Sequence, residues 1–160
     1  MTGVSSSPPE PPALVALTGS SRLGALARRL AQAVTAGVLA GVQQRDARIR
    51  AVHLRVFASL EDGPARAVAV ARLLGTTKQT TGPVIDELVA WGYLRRREDP
   101  ADARAKLVDF TAAGRELAEA AAEAVRVLES RMADAVGREE LDRCRETLWR
   151  AIGAVEPPGR

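Results

Sequence analysis

Between Arg66 and Thr111 two short helical patterns meet at Gly75 and lead into a charged hairpin, an order that points to a helix-turn-helix with a wing. In the second pattern, Thr77 to Trp91, the residues Thr81, Val84, Ile85, Leu88 and the Trp91/Gly92 end recur at three- and four-residue spacing. They form one stripe that must be buried. Gln79, Gly82, Pro83 and Asp86 fall on the opposite face, with Thr80 on its flank. Thr76, Thr77 and Lys78 open the segment, where free backbone N–H groups favour a phosphate. Short side chains let such a helix approach the floor of a major groove, where amides and hydroxyls meet base edges.

The preceding pattern, about Val68 to Leu74, turns Val70, Ala71 and Leu74 inward and stops at Gly75, the residue best able to take positive φ after a helix. Past Gly92, residues 93–97 read as a strand, 98–103 as a turn around Pro100, and 105–110 as the returning strand. Arg95, Arg96, Arg97, Arg104 and Lys106 stand against Glu98, Asp99 and Asp102, which leaves residues 95–106 at net +2. An arginine near the hairpin tip suits a narrow minor groove, where the potential is most negative.

The run Asp99-Pro100-Ala101-Asp102-Ala103-Arg104, followed by Leu107-Val108-Asp109-Phe110-Thr111-Ala112-Ala113-Gly114, resembles the MarR (multiple antibiotic resistance regulator) family of winged-helix transcription regulators. The family form is D-P-x-D-x-R, a hydrophobic strand, then L-T-x-x-G. Phe110 stands where the leucine is usual. Residues 75–80 and 87–93 also look like a common version of the family pattern, and the resemblance extends from about Arg22 to Ile152. Two departures concern the reading head. Gly82 and Pro83 occupy places where many members carry a polar residue and an arginine, and Pro83 deletes a ladder hydrogen bond. The first helix of the motif also lacks a capping Ser or Thr before Ala67, worth about 1 kcal/mol.

Elsewhere, about Ser20 to Val42 reads as a helix with Leu23, Leu26, Ala27, Leu30, Val34 and Val38 on one side. About Ile49 to Leu60 reads as another, with Ile49, Val52, His53, Val56, Phe57 and Leu60 aligned. His53 is there either a neutral, hydrogen-bonded core side chain or a polar anchor in an effector pocket. Ala112 to Val136 and Arg138 to Ala151 form two further helices broken at Gly137. Cys144 lies on the apolar stripe of the last, which favours a small hydrophobe in a core or subunit seam over a redox sensor. Residues 1–19, rich in Ser and Pro, read as a flexible arm, and 156–160 as a fraying tail.

Charge adds a further constraint. From 20 to 60 seven arginines face Asp46 alone, net +6, whereas from 109 to 150 ten acids face seven arginines, net −3. Opposite-sign terminal helices are compatible with association, although each surface pair contributes little. A single cysteine agrees with a reducing compartment, and neither a signal peptide nor a membrane-length apolar run is visible. One His and one Cys far apart, with no metal-ligand spacing or phosphate loop, give catalysis no recognisable setting. No cofactor and no enzymatic activity are expected.

The reading is therefore a mainly α protein with a small β-hairpin wing. It comprises a domain over 20–155, its winged helix at about 49–111 and its flanking helices at about 20–42 and 112–153. The resemblance implies that those flanking helices interlock in a homodimer, a repressor on double-stranded DNA with an inverted-repeat operator, and the lack of a signal peptide or membrane-length run makes the cytoplasm its expected place. It also implies release by a small aromatic or lipophilic effector, with His53 as the pocket candidate. The DNA-contacting set expected is Thr76, Thr77, Lys78, Gln79, Thr80, Gly82, Pro83, Arg95, Arg97, Asp102, Arg104 and Lys106. Asp99 and Asp102 are expected to orient Arg104. A winged helix used for protein contacts is the alternative, and the position of the only two lysines, Lys78 and Lys106, weighs against it.

Overall fold

A computed structural model describes residues 22–155, so the arm read at 1–19 and the tail at 156–160 lie outside the described residues. The order is α1 (Arg22–Gln43), α2 (Ala51–Ala58), β1 (Ala65–Arg66), α3 (Ala67–Leu73), α4 (Lys78–Ala90), β2 (Leu94–Asp99), β3 (Asp102–Phe110), α5 (Ala112–Val136) and α6 (Arg138–Val155). The sheet is antiparallel in the order β1-β3-β2. The fold is thus mostly helical with a small sheet, a winged helix. Among the described residues, no helix is long and apolar enough to cross a membrane.

The chain divides into two compact units at Ala33/Val34. In the first, the described residues are the opening turns of α1, where Leu23, Leu26 and Leu30 are exposed. In the second, Val38, Val42, Ile49, Val56, Phe57, Val70, Ile85, Leu88, Leu94, Val108 and Leu117 form one core. Burying each large apolar side chain of that set contributes about 1.5–3 kcal/mol. The rest of α1 approaches α5 through small residues. A Cβ on Gly37 would come within 2.9 Å of Leu128 Cδ1, and one on Gly41 within 3.2 Å of Ala124 Cβ.

Two helix ends follow the sequence signals. Gly75, at φ +64, leaves α3, and Gly137, at φ +91, separates α5 from α6. Arg66 occupies the N-cap of α3 without a side-chain cap bond. What replaces the cap is β1, which the hairpin reading did not include. Ala65 pairs with Val108 and Arg66 with Leu107, so the edge of β3 anchors the chain just before the helix. Two residues carry no periodicity, and only the partner strand makes them a strand.

Four of the five Phe, Trp and Tyr residues, all but Trp149, lie about α2 and the sheet. The Phe57 ring meets Phe110 edge-on at 5.2 Å and Tyr93 at 6.5 Å, and Trp91 meets the His53 ring at 5.1 Å. On α6, Leu141 and Leu148 are half-buried, whereas Trp149, Ile152, Val155 and Cys144 are exposed in the single chain. Cys144 therefore does not lie in this chain's core.

Candidate nucleic-acid interface

The helix α4 starts from Thr77, whose backbone is extended (φ −97°, ψ 157°) and whose Oγ1 accepts the Thr80 N–H at 3.2 Å. Its hydroxyl also lies 2.9 Å from Thr80 Oγ1. The two threonine hydroxyls are thus engaged with each other at the mouth of the helix. Thr81, Ile85 and Leu88 are buried, as the spacing requires. Lys78, Gln79, Thr80, Pro83 and Asp86 are exposed, with Thr76 and Gly82 half-buried. The helix runs unbroken through Pro83, although the Gln79 carbonyl loses the N–H that another residue would offer.

Three side chains clamp α4 to the start of α2. His53 is fully buried, and its Nδ1 accepts the Arg50 N–H at 3.0 Å. Its Nε2 is then the protonated nitrogen and donates to Glu87 Oε2 at 2.9 Å. Arg50 closes the triangle with a guanidinium hydrogen bond to the same carboxylate. The His53 hydrogen bond, with Arg50 beside it, holds Glu87 below the usual carboxylate range against the opposing effect of desolvation. A second cluster supports the far end of the helix. Asp46 accepts Arg48 at 2.7 Å and the Tyr93 hydroxyl at 2.8 Å, while Arg48 lies 4.7 Å above the Trp91 ring. Arg48 is the main reason that Asp46 titrates far below the ordinary aspartate range.

The wing differs in one respect from its expected electrostatics. Asp99 and Asp102 do not hold the Arg104 guanidinium. Asp102 accepts the Arg104 backbone N–H at 3.1 Å, and Asp99 accepts the Ala101 N–H at 2.9 Å. The arginine they hold is Arg66, whose Nε donates to Asp99 at 2.7 Å and whose Nη2 is 3.5 Å from Asp102. Asp99 is buried, and the Ala101 N–H followed by Arg66 lowers its pKa. Sequence reading missed Arg66 because it lies 33 residues from its partner, on a strand with no signal of its own.

Pairing along the hairpin also sorts the basic residues. Arg95 faces Asp109 at 2.9 Å and Arg97 reaches the same carboxylate at 3.3 Å. Lys106 pairs with Glu98 at 3.1 Å, and Arg96 crosses to Asp86 of α4 at 2.6 Å. Asp109 lies beyond the stretch summed at net +2, yet it neutralises part of that charge. Among the described residues, Lys78 and Arg104 have no carboxylate partner, and both are exposed. Neither charge is offset by a neighbouring carboxylate among those residues.

A cavity of about 730 Å³ opens beside this reading head, lined by apolar residues including Val34, Val38, Leu54, Phe57 and Val125 and by Arg55 and Arg115. His53 is not part of its lining. The histidine sits on the face of α2 that packs against α4, as a buried side chain hydrogen-bonded between the two helices. Among the described residues, no group of three His, Cys, Asp or Glu could hold a metal ion.

Residues 46–105 match the family model described as MarR family. Over 86 residues the chain is 35% identical to the uncharacterized protein Rv2011c of Mycobacterium tuberculosis, an alignment covering 54% of this chain and 60% of that protein. The chain thus spans about 60% of the length of the curated relatives it matches. The transcriptional regulator Tm0710 from Thermotoga maritima is 26% identical at a TM-score of 0.61, covering 82% of this chain and 92% of that one. A mutant MarR from E. coli complexed with operator DNA shares the fold at a TM-score of 0.67 and 21% identity, over 81% of this chain and 93% of that one.

Proposed function

We propose that the protein, whose residues 46–105 match the MarR family model, is a sequence-specific, ligand-responsive repressor acting as a homodimer on an inverted-repeat operator. The observation that carries this reading is the exposed polar face of α4 beside a wing, with Lys78 and Arg104 both lacking a carboxylate partner among the described residues. Free cationic groups at those two points suit phosphate and the minor groove, while the clamp of His53, Arg50 and Glu87 holds the helix at a fixed attitude. Arg95, Arg97 and Lys106 serve as phosphate contacts after exchanging their carboxylate partners, and Asp102 shapes the turn that presents Arg104.

A dimer comes from the exposed apolar residues of the flanking helices, Leu23, Leu26 and Leu30 on α1 and Trp149, Ile152 and Val155 on α6. Twofold symmetry then sets half-sites about one helical turn apart. The cavity beside the reading head takes a small aromatic or lipophilic effector. Such a ligand releases DNA when it binds better to the half-site spacing that cannot span the operator. The protein works in the cytoplasm, where its DNA is.

The test is binding of the full chain to its own upstream DNA at two salt concentrations, with a scrambled duplex as control. Selective binding that weakens steeply with salt is expected, and Arg104→Ala should reduce both affinity and the salt slope, the latter by about one. Equal weak binding to both duplexes would assign the winged helix to a different partner.

A further inference from the structure

Within the proposed reading of α4, few groups are left that can discriminate between bases. The Thr77 and Thr80 hydroxyls are hydrogen-bonded to each other at the helix cap, and Thr81 faces the core. Asp86 is neutralised by Arg96 at 2.6 Å. Lys78 sits in the first turn, where it and the free backbone N–H groups favour phosphate. Gly82 presents no side chain, and a Cβ placed there would meet nothing within 4 Å. What remains exposed and wholly unengaged among the described residues of this face is one amide and one hydrocarbon ring. Gln79 is exposed and has no side-chain hydrogen bond among the described residues, and Pro83 exposes its pyrrolidine ring.

These two residues are four apart, so they lie on one face of the helix, separated by about 6 Å along its axis. That is close to two base-pair steps of about 3.4 Å each. Gly82, beside Pro83, lets the backbone come close to the groove floor. In a major groove a glutamine amide matches the N6/N7 edge of adenine, and an apolar group matches the 5-methyl of thymine. Neither has a comparable partner on a G·C pair. We infer that each operator half-site carries an adenine read by Gln79 and, about two base pairs away, a thymine whose 5-methyl group packs on Pro83. The reading surface is thereby narrow and tuned to A·T pairs.

This inference rests on the DNA-binding reading, and the experiment separates the two. The full chain is used to select duplexes from a random library, and the selected site is then remade with each thymine replaced in turn by deoxyuridine, which removes only the methyl group. One thymine should matter, with a loss of about fourfold for one methyl taken from contact. That loss should disappear in Pro83→Gly, which removes every apolar side-chain atom there and burdens the helix less than the proline it replaces. Replacing the adenine should cost about five- to 150-fold in the unaltered protein and little in Gln79→Ala. A selected site without an A·T pair at the expected separation would overturn the inference while leaving the regulator intact. So would a deoxyuridine penalty that persists in Pro83→Gly. Failure to enrich any sequence would overturn the DNA-binding reading itself, and the inference with it.

Discussion

Thr81 offers a test of how α4 is bound into the core. It is 2% exposed, and its Oγ1 has no hydrogen-bond partner among the described residues. A buried hydroxyl left without a partner costs about 1–3 kcal/mol. Thr81→Val replaces that hydroxyl with a methyl group of similar size. It retains β-branching, so helix propensity and rotamer freedom change little. The space is already filled by a group of the same shape, and the expected effect is a gain of about 1–2 kcal/mol, at the lower end of that penalty. For a chain of this length, each 1 kcal/mol raises Tm by about 2–4 °C. Denaturant unfolding monitored by circular dichroism gives the free energy, and a thermal scan gives Tm. Operator affinity should not change, because the side chain faces away from the exposed residues Gln79 and Pro83. A variant less stable than the parent would refute the reasoning. It would mean that the hydroxyl is satisfied in solution, for instance by the carbonyl one turn earlier, and that α4 carries no such penalty.

Three further outcomes follow from the packing around the same helix. Gly114→Ala should destabilise by about 1–3 kcal/mol or more, because its Cβ would fall 1.9 Å from the Tyr93 carbonyl oxygen, a backbone atom; unfolding in urea near that of the parent would contradict it. Arg66→Ala should weaken operator binding to a degree comparable with Arg104→Ala and speed exchange of the Ala101 amide proton, since Asp99 would lose the partner that fixes the turn. Parent-like affinity and exchange would remove Arg66 from the wing's support. Asp46, Glu87 and Asp99 all have folded pKa values below their unfolded ones. The stability they contribute is complete above the unfolded values of about 4 and is lost as pH falls through the folded ones. Melting temperature should therefore hold between pH 7 and 5 and fall below about pH 4, more shallowly in Asp46→Asn.

How much of this was legible in the chain depends on the range of the interaction. The Thr81, Ile85 and Leu88 stripe, the Gly75 stop and the Gly137 break are local, and each was visible as spacing or as a residue able to take positive φ. The family-like signature after the hairpin was legible as a pattern, but its physical content was not. Thr111 caps α5 by accepting the Gly114 N–H at 3.0 Å, and it donates its own hydroxyl to the Gly92 carbonyl at 2.6 Å. Gly114 is glycine because the Tyr93 carbonyl occupies the place of a Cβ. Those two residues join the base of the wing to a long helix. The contacts of the reading head had no comparable signal. His53 and Glu87 are 34 residues apart, and Arg66 and Asp99 are 33 apart, so no window of helical or strand period contains either pair. An apolar stripe identified the face of α2 on which His53 lies, but which element covers that face is a property of the assembled fold. Hence the periodicity left the histidine open as either a hydrogen-bonded core side chain or a pocket anchor, and its partner Glu87 is visible only in the assembled fold. The wing charge shows the same limit. Counting residues predicts the net field over a segment, whereas Asp109 and Asp86 decide which arginines are already paired, and they do so from outside the segment that was counted. Local pattern therefore specified which helix and which hairpin stand side by side, while long-range pairs decided which charged groups are already free and which must first exchange a carboxylate partner.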